Sequence, residues 1–172
     1  MKSRRIRVLC RLALLAAAAL ALSALEGIFA PILPPGARAG LSNVIVMLAA
    51  SSLGLPSALL IVLIKAVFAL LTRGAVSFLL SAAGGVVSAL LLWVLFRTAR
   101  LFGNLGISVL GALSHSLVQL AVSALLYGNA VWAYAPVMIL LSVPSGCITA
   151  VLLTAVSPLF LCKTNETKGT PS

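Results

Sequence analysis

No aspartate occurs anywhere in the 172 residues, and Glu26 and Glu166 are the only acids. Paired carboxylates, the usual equipment for acid–base chemistry or for holding magnesium, cannot be built from two acids at opposite ends of a chain. One histidine and three cysteines complete the short stock of reactive side chains. Cys10, Cys147 and Cys162 show neither metal nor redox spacing, so no metal site and no cofactor is expected. Nor does the chain hold a phosphate loop or a nucleophile–base–acid set. Ser114 and Ser116 flank His115, but neighbours on a helix point to different faces. The expectation is therefore a protein that is not an enzyme. Charge is scarce too: 8% of residues are charged, where a soluble domain carries about 25%. Such a chain cannot cover a water-facing surface. Its net charge of +10 does not indicate nucleic acid, because the bases gather at chain ends and loops rather than on a face.

What the chain has in quantity is apolar length, 62% of its residues being hydrophobic. This predicts an all-α membrane protein, one bundle of transmembrane helices in a lipid bilayer with no separate soluble domain. A basic start, residues 1–11, carries Lys2, Arg4, Arg5, Arg7 and Arg11. The apolar run Leu12 to Phe29 follows. It reads as a retained first span, since about 17 apolar residues suffice to cross; a cleaved signal peptide, with Ala21-Leu-Ser23-Ala24 as a loose site, is the other reading. Further apolar segments run from about Leu41 to Leu53, Pro56 to Leu71, Ala75 to Phe96, Ile107 to Leu126 and Val131 to Leu161. Pro136 and Pro144-Ser-Gly146 interrupt the last one, which predicts a tilted or kinked helix. The polar end, residues 162–172, is expected to be a disordered tail.

The second segment is short for a span, which needs about 20 residues. Basic residues argue that it crosses all the same. With six spans, Lys2, Arg4, Arg5, Arg7, Arg11, Arg97, Arg100, Lys163 and Lys168 fall on one side, and only Arg38 and Arg73 on the other. Without that crossing the balance is nearly even. The positive-inside rule thus favours six transmembrane helices, both termini cytoplasmic, over residues 12–161.

Between the first two spans lies an outer loop, residues 30–42, rich in proline and glycine. Pro31, Pro34, Pro35, Gly36 and Gly40 deny it a helix. Irregular backbone at a membrane is tolerated where protein or a water-filled cavity shelters it. This loop is expected to lid a solute-binding cavity. Candidate lining groups are the polar side chains that an apolar bundle must accommodate. Lys65 lies about ten residues into the third span, where a lysine costs on the order of 3 kcal/mol. Either it snorkels to an interface, or it faces the interior and meets an anion, from Glu26 or from a ligand. Glu26 and Arg38 are each open between a binding role and a solvated interface role; Arg38 suits a carboxylate or phosphate. Asn43 opens the second segment. His115 and Gln119, four apart, share one face of the fifth span, with Ser108 on roughly the same side. That stripe fits solute binding or an interhelical hydrogen bond. On the first helix, Ala13, Ala17 and Ala21 recur every four residues, a spacing that lets backbones approach. It serves packing inside the bundle or docking against a separate membrane subunit.

Glu26 with Pro31, then Pro34-Pro-Gly36-Ala-Arg-Ala-Gly40-Leu-Ser-Asn43, resembles the entry motif of the Gx transporter family. So does Gly111-Ala-Leu-Ser-His115-Ser-Leu-Val-Gln119, with one departure: Ser116 stands where Asn is expected. That family is also labelled heptaprenyl diphosphate synthase component I, and in plan it is similar to the S components of energy-coupling factor transporters. The resemblance covers about Leu12 to Leu161. It implies a six-helix protein of the bacterial cell membrane that captures a small vitamin-like or cofactor-precursor solute from outside. It also implies that Ala13, Ala17 and Ala21 dock a transmembrane coupling protein driven by two cytoplasmic ATPases. The other label implies a membrane subunit associated with isoprenoid or quinone synthesis, although prenyl diphosphate chemistry uses aspartate-rich magnesium motifs. A stand-alone proton-linked carrier, with His115 or Glu26 as relay, is the third expectation.

Overall fold

The computed structural model describes residues 2–29, 42–98 and 103–161, and these are helical almost throughout. The six helices are α1 (Lys2–Phe29), α2 (Asn43–Ser52), α3 (Leu55–Arg73), α4 (Ala75–Thr98), α5 (Asn104–Tyr127) and α6 (Ala135–Leu161). A 3₁₀ segment, Asn129–Tyr134, leads into α6. Five of these stretches are long and apolar enough to cross a membrane, which makes the chain a multi-pass membrane protein. Large apolar side chains such as Leu14, Ile28, Leu71, Leu125 and Leu140 stand exposed on the outside of the bundle, as a lipid-facing surface requires.

Helix ends follow local chemistry. Gly54 and Gly74 close α2 and α3 with φ of 90° and 85°, a region that glycine enters without a Cβ clash. Pro56 falls in the first turn of α3, where no intrahelical donor is lost. α1 starts earlier than its apolar run, so the basic residues ride on its first turns rather than on a separate segment. α6 begins at Ala135, a few residues later than the apolar run suggests, and continues through Pro144. One missing backbone donor does not end a helix in lipid, where any non-helical backbone would leave more groups unsatisfied.

Consecutive long helices pack side by side: α3 on α4, α4 on α5, α5 on α6, with α1 against α3. α4 has no polar face to steer it, so small residues decide its seams. Ser81, Gly84, Gly85, Ser88 and Ala89 form its buried stripe and let its neighbours come close.

α2 is different in kind. Ten residues rise about 15 Å, half of a hydrocarbon core about 30 Å thick. It touches all five other helices, and seven of its ten residues are buried. Val46, Met47, Leu48, Ala49 and Ala50 join the central cluster with Leu15 and Ala19 of α1, Ala58, Ile61 and Val62 of α3, and Leu92 of α4. The short helix is thus the core of the bundle rather than a sixth stave of its wall.

Candidate functional site

Polar groups gather where α2 begins. Glu26, near the end of α1, is 6% exposed; Ser42, just before α2, is 0%; Lys65, on α3, is 3%. The Ser42 backbone N–H donates to Glu26 Oε1 at 2.8 Å, and its hydroxyl donates to Oε2 at 3.3 Å. Lys65 Nζ donates to the same hydroxyl oxygen at 2.8 Å. Ammonium and carboxylate are therefore coupled through one serine. The carboxylate also sits at the N-terminal end of α2, where the helix dipole favours negative charge. Lys65 does not snorkel: it faces the interior and reaches Glu26 through Ser42.

The next residue carries polarity the other way. The Ser88 hydroxyl of α4 lies 3.2 Å from Asn43 Oδ1 and 3.1 Å from its own helix's Gly85 carbonyl, and its single proton is shared between them. One turn away, Gly84 receives α5. A Cβ there would stand 2.9 Å from the His115 ring and 3.1 Å from Gln119 Cγ, closer than a methyl group can sit. So His115 and Gln119 lie flat against bare α4 backbone, 3% and 0% exposed. Two polar groups thus flank the first turn of α2: the Glu26–Ser42–Lys65 chain toward α1 and α3, and Asn43 toward Ser88, Gly84 and α5. Ser108 belongs to the same side and places its hydroxyl 3.4 Å from Met47 Sδ of α2. Ser116 turns from this face and bonds Ser142 of α6.

Not every group of the sequence reading can be located. Arg38 lies outside the described residues, as do most of the outer loop and the tail. Ala13, Ala17 and Ala21 are all exposed on one face of α1, away from the buried line Leu15, Ala19, Ser23 and Glu26.

Sequence reasoning missed three participants. Ser42 was legible only as a loop residue. Arg73 read as a loop charge, yet it is the last residue of α3 and clasps α1: Nη2 donates to the Ser23 carbonyl at 2.9 Å and to Ser23 Oγ at 3.0 Å. Its guanidinium lies over Gly27, with Cζ 3.6 Å from where a Cβ on that glycine would stand. The signal was available, because Lys65 and Arg73 are eight apart, two turns on one face. Gly84 has no side chain to mark it, and only the approach of His115 and Gln119 shows its part.

This arrangement places hydrogen-bonding groups in a low-dielectric interior. It offers both signs of charge, neutralised within the bundle, and uncharged donors and acceptors on α4 and α5. It has no group of residues set for bond-breaking chemistry among those described. Comparison with known proteins gives one match. No curated protein and no solved structure is similar enough to report. A family model described as heptaprenyl diphosphate synthase component I matches residues 15–156, which takes in every helix and all the polar groups above. The chain belongs to the heptaprenyl diphosphate synthase component I family.

Proposed function

We propose that the protein is the solute-binding membrane component of a transporter, similar to an energy-coupling factor S component. It captures a small vitamin-like or cofactor-precursor solute from outside. The observation that supports this reading is the buried link of Glu26, Ser42 and Lys65 at the start of α2, with Asn43 on Ser88 of α4 and, one turn along α4, His115 and Gln119 against Gly84. Polar groups are expensive within a bilayer and mark solute paths when they face a bundle's interior. In this reading α2 packs over the solute from within the bundle. The same reading has the second segment, from about Leu41 to Leu53, cross the membrane, so that both termini are cytoplasmic. The exposed face of Ala13, Ala17 and Ala21 is the dock for a transmembrane coupling protein, whose two cytoplasmic ATPases supply the energy, the sequence itself carrying no phosphate-loop motif.

The family's description favours a second reading, a non-transporting membrane subunit that accompanies prenyl diphosphate synthesis. Affinity purification of the full chain from its native membrane separates the two. Co-purification of ATPases with a membrane coupling subunit is the expected result. Recovery of a prenyl transferase instead replaces the proposal with the second reading, and recovery of neither leaves a carrier that acts alone.

A further inference from the structure

The α4–α5 seam holds four buried polar atoms that find no partner in the protein: Gln119 Oε1 and Nε2, Ser81 Oγ and Ser123 Oγ. Gln119 and Ser123 are 0% exposed and Ser81 is 1%. Their register brings them together. Ser123 follows Gln119 by one turn on α5, and Ser81 precedes Gly84 by one turn on α4. The Gln119 side chain crosses that seam at Gly84. The two helices join through a short connection and run antiparallel, so Ser81 falls level with the Gln119–Ser123 side. Buried polar groups nearly always have partners, and a cluster without them points to a bound molecule or water.

The chemistry of that molecule can be read from what faces it. A glutamine amide presents an acceptor beside a donor in one plane. Its complement is a neutral edge that carries a donor beside an acceptor, as a carboxamide, lactam or ring imide does. Hydroxyls such as Ser81 and Ser123 donate or accept as required. A carboxylate accepts only, so it would face Gln119 Oε1 with repulsion. The buried Lys65 and half-buried Arg73 are both on α3, not on the α4–α5 seam; Lys65 bonds Ser42, and Arg73 bonds Ser23 through Nη2 while its Nη1 has no partner among the described residues. We infer that the Gln119–Ser81–Ser123 cluster is the specificity element of the solute site and takes an uncharged amide, lactam or imide edge of the solute. This rests on the solute-binding reading above and adds the chemical class of the ligand.

The test uses purified full-length protein in detergent and matched probes at millimolar concentration. Nicotinamide is set against nicotinate, benzamide against benzoate, and lumichrome is added as a larger imide. At least one neutral probe should raise the melting temperature and bind at least tenfold more tightly than its carboxylate counterpart. Gln119→Met, which keeps the length and removes the amide, should lose that response. Without probe it should melt no lower than wild type, since it deletes atoms that lack partners. Ser123→Ala should weaken the response in the same direction, with a smaller change to the core. A lower melting temperature for Gln119→Met without probe assigns Gln119 a structural role and overturns the inference. Binding of nicotinate or benzoate in preference also overturns it, yet leaves solute capture standing. If no probe of either kind binds while ATPases co-purify, the edge assignment falls and the transport reading survives; if neither occurs, both fall.

Discussion

Replacing Lys65 by methionine removes the ammonium and keeps all but the last atom of the side chain's length. The Glu26 carboxylate would then remain buried with Ser42 as its bonded neighbour. Removing one member of a buried charge pair typically costs about 3–5 kcal/mol, because the other charge is left without compensation. The cost here should fall at the low end, since Ser42 N–H still donates at 2.8 Å and the α2 dipole still favours the carboxylate. About 3 kcal/mol is expected for Lys65→Met, and a similar loss for Glu26→Gln, which strands the lysine. The double variant removes both charges together and should stand within about 1–2 kcal/mol of wild type, as replacements of buried ion pairs by apolar groups often do. The two single losses should therefore exceed the double loss by several kcal/mol, far above the ~0.5 kcal/mol within which independent sites add. Equilibrium unfolding of the four proteins in mixed micelles measures that cycle. If the single losses simply add, the charges do not sense each other through Ser42, and the account of this chain is wrong.

Two further outcomes follow from geometry. Gly84→Ala puts a methyl group 2.9 Å from the His115 ring, so overpacking should lower stability by about 1–3 kcal/mol and displace both His115 and Gln119; thermal unfolding checks the first part, and loss of probe binding the second. Ala17→Leu lies on the exposed face of α1 and should change stability by no more than about 0.5 kcal/mol, while it abolishes recovery of the coupling subunit in affinity purification.

Much of the fold could be read from the chain because lipid simplifies the problem. Apolar runs broken at Gly54, Gly74 and Gly128 gave the helices within a few residues, since backbone at membrane depth has almost no alternative to helix. Lys65 could be picked out because a lysine there is costly wherever it points outward. What could not be read depends on neighbours far apart in sequence. Ser42 is as cheap in a loop as in a core, and only the approach of α1 and α3 makes it the link between two charges. Arg73 looked like a loop cation because its partner, Ser23, lies 50 residues away. Pro144 predicted a tilted or kinked helix, and α6 runs through it as one helix, because any alternative would leave more backbone groups unsatisfied.

The order of synthesis gives the Glu26–Ser42–Lys65 chain a further consequence. α1 enters the membrane carrying an acid whose bonded serine and paired cation have not yet been made. Lys65 leaves the ribosome about 40 residues after Glu26, a wait of roughly 2–8 s at ~5–20 residues per second. During that interval the newborn helix is better housed beside insertion machinery or near the headgroups than deep among acyl tails. Release into the bilayer thus becomes tied to the arrival of α3, and the first three helices mature as one consignment.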